Sequence, residues 1–281
     1  MTDSPYADLD RPPLNERTLT RALVRPGTLW REIRVVRRTG STNADLAAAA
    51  LTGAPEGTIL VAEEQTAGRG RLGRTWAAPP RSGLLFSILL RPEVPVARQG
   101  WIPLLTGVAV ATAVRRMSAR AQAGDFGEPV PGEQVDARLK WPNDVLVGER
   151  KLAGVLAERA GDAVVVGVGL NVVLRAAELP VPTATSLAIE HSATTDRELL
   201  LRAVLRGFDT GYRDWTAAGG DPEASGLAAT YRGLCATLGR EVQVHLPGDR
   251  TLTGVATDID PAGCLIVADE IISAGDVVHV R

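Results

Sequence analysis

Apolar positions along the chain follow two rhythms, and each predicts its own kind of element. Ile33 to Val36 reads as a strand. Ala44 to Leu51 reads as an Ala-rich helix entered through Ser41-Thr42-Asn43, with Thr42 and Asp45 spaced as a capping box. Gly53 and Pro55 close that helix. Thr58 to Glu63 and Gly83 to Leu90 are apolar enough for buried strands. Trp101 to Met117 has a long helical pattern, with Arg115 and Arg116 near its C-terminal end, where cations suit the helix dipole. Gln122 to Asp136 is Gly/Pro-rich and reads as a surface insertion. Arg138 to Trp141, Val145 to Val147, Leu152 to Glu158 and Val164 to Val168 read as a meander of paired strands. Arg197 to Trp215 is strongly amphipathic, and Ala224 to Leu238 reads as a second helix. The start of the chain reads as a loose tail, with one short helix over Leu14 to Leu23.

Beyond Gly239 the rhythm changes to alternation. Glu241 to Leu246, Thr251 to Thr257, Cys264 to Ala268 and Val277 to Val280 are short strands. Turns at Pro247-Gly248-Asp249 and Pro261-Ala262-Gly263 separate them, which predicts a small all-β barrel. No internal repeat is evident.

Composition narrows the function classes. The 281 residues are 45% hydrophobic and 23% charged, as in an ordinary globular chain. Lys+Arg 31 against Asp+Glu 33 gives a net charge of -2, so there is no global basic excess for nucleic acid. Cys235 and Cys264 form neither a disulfide framework nor a CxxC site, and His191, His245 and His279 are scattered. A dedicated protein metal site is therefore not expected. No apolar run reaches the roughly 20 residues of a spanning helix. Met1 to Asp10 lacks the pattern of a signal peptide, so a cytoplasmic, soluble protein is expected.

Three segments carry chemistry. Gly68-Arg69-Gly70-Arg71-Leu72-Gly73-Arg74 contains GxGxxG, but Thr75-Trp76-Ala77-Ala78-Pro79-Pro80 follows and cannot continue as the helix a dinucleotide site needs. A P-loop is excluded because no GK[ST] is present. Arginines alternating with glycines suit a carboxylate or phosphate instead, against the plain alternative of a solvated basic turn. Trp76 is either a pocket wall or core. Read as strand–turn–strand, Lys140-Trp141-Pro142-Asn143-Asp144 and Arg150-Lys151-Leu152-Ala153-Gly154 put Lys140, Asn143, Asp144 and Lys151 near one hairpin end, against the plain alternative that each is a surface turn residue. Gly167-Val168-Gly169-Leu170-Asn171 marks either a close approach or a bulged strand.

Together with Ser41-Thr42-Asn43 and Glu64-Gln65-Thr66-Ala67, these segments resemble the biotin protein ligases, in the family's order and at similar spacing. The resemblance runs from about Val35 to the C-terminus. It implies an α/β (α+β) catalytic domain with a mixed sheet and flanking helices, over residues 31–238. A tail precedes it at 1–30, and a small C-terminal SH3-like β-barrel follows at 239–281.

The implied reaction joins biotin carboxylate to the α-phosphate of ATP, then passes biotin from the adenylate to a lysine of a biotin carboxyl carrier domain, by default that of an acyl-CoA carboxylase. Mg²⁺ would arrive with the ATP phosphates rather than in a protein cage. By resemblance, Ser41, Thr42, Asn43, Gln65, Gly68, Arg69, Gly70, Arg71, Lys151 and Gly154 face biotin. Arg71, Arg74, Trp76, Lys140, Asn143, Lys151 and Asn171 face the ATP or adenylate side. Lys151, Arg71 and Asp144 are the catalytic candidates, with Asp144 either acting on the acceptor lysine or bracing a neighbouring one. The Gly/Arg loop is expected to order over the intermediate and retain it. Arg175 to Ser186, proline-rich here, departs from the family pattern, so no adenine-stacking residue is named from it.

The rival enzyme is a lipoate or other acyl-protein ligase of the same fold. A biotin-sensing repressor would need DNA binding, which the short proline-rich stretch before Ser41 does not predict. Neither DNA nor membrane is an expected partner, and a monomer or a weak homodimer is expected.

Overall fold

A computed structural model describes residues 11–118, 134–246 and 250–280. Its centre is a seven-stranded mixed sheet built from β1 (Glu32–Val36), β2 (Thr58–Ala62), β3 (Gly83–Leu90), β4 (Ala137–Lys140), β5 (Asp144–Val147), β6 (Arg150–Ala160) and β7 (Ala163–Asn171). The order is β1-β2-β3-β7-β6-β5-β4. Only the β1–β2 pair is parallel, and the expected meander forms the antiparallel half.

Both faces of the sheet are covered, which is why its central strands are apolar throughout. On one face lies α2 (Thr42–Leu51), whose Leu46 and Ala50 meet Leu60, Leu89 and Val165. On the other lie α3 (Trp101–Ser118) and α4 (Arg197–Ala217), packed on Ile59, Val61, Phe86, Ile88, Val164 and Val166. The side chains therefore alternate between two separate apolar layers.

Ser41, not Thr42, caps α2: its hydroxyl accepts from the Ala44 N–H, while Asp45 accepts from the Thr39 hydroxyl. The capping box expected at Thr42 and Asp45 does not form: the cap lies one residue earlier, and Ala44 at the third helical position has no side chain to reciprocate. The second C-terminal helix, α5 (Leu227–Leu234), is shorter than expected, and its cap residue Cys235 turns extended. The insertion expected at Gln122 to Asp136 lies outside the described residues up to 133, and Val135 at its end is buried. Likewise residues 1–10 lie outside the description. From Arg11 onward the segment is packed: α1 (Glu16–Leu23) buries Leu19 and Leu23, and Trp30 follows.

The C-terminal unit is an antiparallel sheet of β8 (Glu241–His245), β9 (Thr251–Ile259), β10 (Leu265–Val267), β11 (Glu270–Ile272) and β12 (Asp276–His279), in the order β11-β10-β9-β8-β12. Strand β11 carries only the adjacent pair Ile271-Ile272 as apolar residues, which gives no alternation to read. The turn at Pro247-Gly248-Asp249 lies outside the described residues. Trp101 and Trp141, both buried, donate their indole N–H groups to Pro261 and Gly263 carbonyls at 3.1 and 3.0 Å. Two aromatic side chains thus fasten the expected turn at 261–263 to the main domain.

Candidate active site

One end of the site is polar and preassembled. The α2 N-terminus presents Ser41, Thr42 and Asn43, all buried. Gln65 Oε1 accepts from the Thr42 N–H at 2.7 Å and lies 3.0 Å from its hydroxyl. Ser87 sits in the apolar strand β3, 2.7 Å from the Thr42 hydroxyl and 2.6 Å from Asn43 Oδ1. An amide oxygen can only accept, so the single Ser87 proton goes to Asn43. Asn43 Nδ2 in turn donates to the Leu156 carbonyl and to Glu158 Oε2, at 3.1 and 2.8 Å. Glu158 Oε1 then reaches Arg69 at 3.8 Å. A continuous polar chain therefore joins Gln65, before the Gly/Arg loop, to Arg69 inside it. Asn43 spends its amide on this scaffold. Ser41 and Thr42 line the cavity beside it.

The loop is a self-bonded ribbon, not a helix start. Arg69 bridges Thr75, the Trp76 N–H donates to the Gly68 carbonyl at 2.9 Å, and the Gly70 N–H donates to the Arg74 carbonyl at 2.6 Å. A Cβ on Gly68 would lie 2.4 Å from the Trp76 carbonyl oxygen, so that position requires glycine. At the tip, Leu72 takes a left-handed φ of 55° and is exposed. Arg71 is partly buried and no hydrogen bond or ion pair holds it among the described residues. Burial draws its pKa below the ordinary arginine value, while the charges of Asp144 and Asp276 oppose that.

The floor beneath the loop is made of backbone. A Cβ on Gly169 would meet the Trp76 ring at 2.4 Å, and one on Gly154 would meet both that ring and Lys151 at 3.1–3.2 Å. Strand β7 is regular through Gly167–Gly169, so these glycines mark close approach rather than a bulge. The register irregularity lies instead between β5 and β6, where Asp144 pairs with Gly154 but Leu146 pairs with Lys151. That extra residue brings Lys151 onto the face of Asp144 and Gly154. Lys151 Nζ stands 2.5 Å from Asp144 Oδ1 and 5.7 Å from the Trp76 ring centroid. Trp76 is thus a pocket wall, and its buried indole N–H has no partner among the described residues.

Lys140, Asn143 and Asn171 line the far side. Asn143 donates to the Val155 carbonyl and Asn171 to the Thr185 carbonyl, each at 2.9 Å, so both amides also brace backbone. The proline-rich segment after Arg175 joins this wall: the Lys151 N–H donates to the Thr183 carbonyl at 2.7 Å, and Val181 and Ala184 face the cavity. The C-terminal sheet supplies the rest. Asp276 forms a doubly contacted ion pair with Arg74. Burial pushes the Asp276 carboxyl up, but Arg74, with help from Lys140, outweighs it and holds the pKa below the usual aspartate value. The whole cavity measures about 620 Å³, within the range for small-molecule sites.

Every sequence-predicted residue except Gly68 lines this cavity, and Gly68 holds its loop. Sequence reasoning missed Ser87, Glu158, Asp276 and His279. For Ser87 a signal existed: a lone hydroxyl inside GLLFSILL must find a partner when buried.

A β-rimmed cavity with an arginine-rich loop over a lysine–aspartate pair is suited to a small anionic ligand such as a carboxylate or phosphate, and similarity to known proteins gives the class. The family model described as Biotin/lipoate A/B protein ligase family matches residues 35–171, and that of the biotin protein ligase C terminal domain matches 237–280. A biotin–[acetyl-CoA-carboxylase] ligase of Mycobacterium tuberculosis is 45% identical over all of both chains. The bifunctional ligase/repressor BirA of Bacillus spizizenii is 31% identical over 76% of this chain and 62% of its own. Among solved structures, the biotin protein ligase from Aquifex aeolicus in complex with biotin and ATP superposes with a TM-score of 0.70 at 28% identity, covering 90% of this chain and all of that one. The chain belongs to the biotin protein ligase family.

Proposed function

We propose that this chain activates biotin with ATP to biotinyl-5′-AMP and transfers the biotinyl group to a lysine of a carboxylase's carrier domain, with the roles that follow. The observation that carries this reading is the Lys151–Asp144 pair at 2.5 Å, set between the polar α2 end and the Gly/Arg loop. Biotin's ureido ring offers two N–H donors and a carbonyl, which hydroxyls of Ser41 and Thr42 and the amide of Gln65 complement. Leaving such a buried group unpaired costs about 1–3 kcal/mol.

In the first step a biotin carboxylate oxygen attacks the α-phosphorus. The bond from that phosphorus to the bridging oxygen breaks, and pyrophosphate leaves. Two unit anions about 4 Å apart repel by roughly 4 kcal/mol at an effective dielectric near 20. Lys151 and Arg71 offset that repulsion and meet the charge that grows on the α-phosphate oxygens. The far wall, with Lys140, Asn171 and Val181, takes the nucleotide. The pocket carboxylates Asp144, Asp276 and Glu149 are committed to Lys151, Arg74 and Arg240. Mg²⁺ therefore fits here as a companion of the triphosphate, supplying charge neutralisation. In the second step the acceptor amine attacks the acyl carbon, the acyl–phosphate C–O bond breaks, and AMP leaves. Asp144 braces Lys151, and its carboxylate is the candidate acceptor for the proton that the amine sheds.

No helix among the described residues is long and apolar enough to cross a membrane. Both cysteines are free, in keeping with a cytoplasmic setting.

The test is ATP–pyrophosphate exchange on the purified protein with biotin, and with lipoate as control. Exchange with biotin alone is expected, with Lys151→Ala reducing it at least about a hundredfold, the scale of losing one preorganised charge stabiliser. Exchange with lipoate alone would move the chain to the sister ligases.

A further inference from the structure

Only two of the 31 cationic side chains are lysines, Lys140 and Lys151; the rest are arginines. Both lysines line the cavity. The reaction proposed above makes an acyl-adenylate, a reagent for amines, and this inference rests on that reading. We infer that the chain is built not to be an acceptor of its own product.

The chemistry is a plain acyl transfer. A neutral amine would attack the acyl carbon, the C–O bond to phosphate would break with AMP leaving, and the nitrogen would shed a proton to give an amide. Guanidinium groups stay protonated and do not compete as nucleophiles. Intermediate that escapes the site therefore meets arginines wherever this surface is cationic. Arg34, Arg38 and Arg250 are all more than half exposed, and each is paired with a carboxylate, as a lysine at the same place would be. Charge alone would have been served by either residue.

Inside the cavity one of the two amines is paired and the other is partly buried. Lys151 is tied to Asp144 at 2.5 Å and faces the Trp76 ring, so attack would forfeit both contacts. Lys140 sits partly buried at the end of β4, with its charge felt by Asp276. Each amine is on hand to neutralise phosphate, and Lys151 is held in place by its partners.

Peptide mapping by mass spectrometry tests the inference in two arms. One arm gives the full-length protein biotin, ATP and Mg²⁺ without acceptor, with pyrophosphate release followed in the same tube. The other adds synthetic biotinyl-5′-AMP directly, which removes any dependence on the first step. Arg38→Lys and Arg250→Lys are run beside the parent, both conservative changes on the surface. An exposed lysine keeps about one amine in a thousand unprotonated near pH 7.4, enough to be acylated, so label at residues 38 and 250 is expected roughly tenfold above that at either native lysine.

Two results overturn the inference: label at Lys140 or Lys151 of the parent matching that at the new lysines, or no label at the new lysines in the synthetic arm. Absence of pyrophosphate release with normal labelling in the synthetic arm would instead overturn the activity reading and leave the protection of the surface standing.

Discussion

At the scale of single residues, the site is defined as much by missing side chains as by present ones. Gly169 carries Trp76, and an added Cβ would enter the ring at 2.4 Å. Because the obstacle is an aromatic wall on a regular strand, Gly169→Ala must tilt Trp76 away from Lys151. Overpacking of this kind costs about 1–3 kcal/mol. The expected result is a protein that still melts cooperatively but has lost most of its biotin-dependent pyrophosphate exchange, with a change in tryptophan emission. Unchanged exchange would show that the Trp76 wall is dispensable. This glycine was legible in the sequence because its motif is local. Ser87 was not named, although it closes the polar chain between Thr42 and Asn43. Ser87→Ala keeps the volume but leaves Asn43 Oδ1 without its donor, and a buried orphan costs about 1–3 kcal/mol. Weaker biotin binding by calorimetry, with ATP binding retained, is the expected outcome.

At the scale of elements, the structure adds connections that no local pattern encodes. Arg74 of the Gly/Arg loop and Asp276 of strand β12 are 202 residues apart, so their pair is invisible to spacing. The pair is partly exposed, so its contribution to global stability is small. Its effect belongs to the loop: Asp276→Asn is expected to speed loss of biotinyl-5′-AMP from the enzyme, measured by release of labelled adenylate, with the melting temperature nearly unchanged. The sign with pH follows from the depressed Asp276 pKa. The ion pair is present above the ordinary aspartate range near pH 4 and is lost as pH falls through the lower folded value, so the latch is intact throughout neutral conditions. His279, on the same strand, behaves differently. Burial, then the charges of Lys140 and Arg240, lower its pKa despite Glu149. Its neutral form contributes stability above about pH 6.5, and that contribution is lost on acidification through the folded value. Denaturation midpoints should fall between pH 7 and 5, and His279→Gln should flatten that part of the profile.

At the scale of the whole molecule, the packed N-terminal segment ties together parts that the sequence reading kept separate. The apolar spacing predicts the helix over Leu14 to Leu23 but gives no sign that the residues before the catalytic domain are fastened to it. Periodicity reports only which face of an element is apolar, and here the fastening is done by buried charge. Glu63, at the end of β2, accepts from the Leu14 N–H and from Arg197, each at 2.6 Å. Arg197 opens α4 and also donates to the Pro12 and Gly83 carbonyls, at 2.5 and 3.2 Å. Both side chains are less than a tenth exposed. One ion pair therefore joins the N-terminal segment, the root of the Gly/Arg loop, the start of β3 and the helix behind the sheet. A buried pair gains little over an apolar substitute, but removing one partner strands the other charge, at about 3–5 kcal/mol. Glu63→Gln keeps the shape and an acceptor for Leu14 while removing the counter-charge of Arg197. The melting temperature should drop by roughly 2–4 °C for each kcal/mol lost. If the pair only supported the N-terminal segment, a chain lacking residues 1–14 would tolerate Glu63→Gln without further loss. Because Arg197 is buried by β2, β3 and α4 as well, the truncated chain is expected to pay the penalty again, and scanning calorimetry of the four combinations separates the two cases.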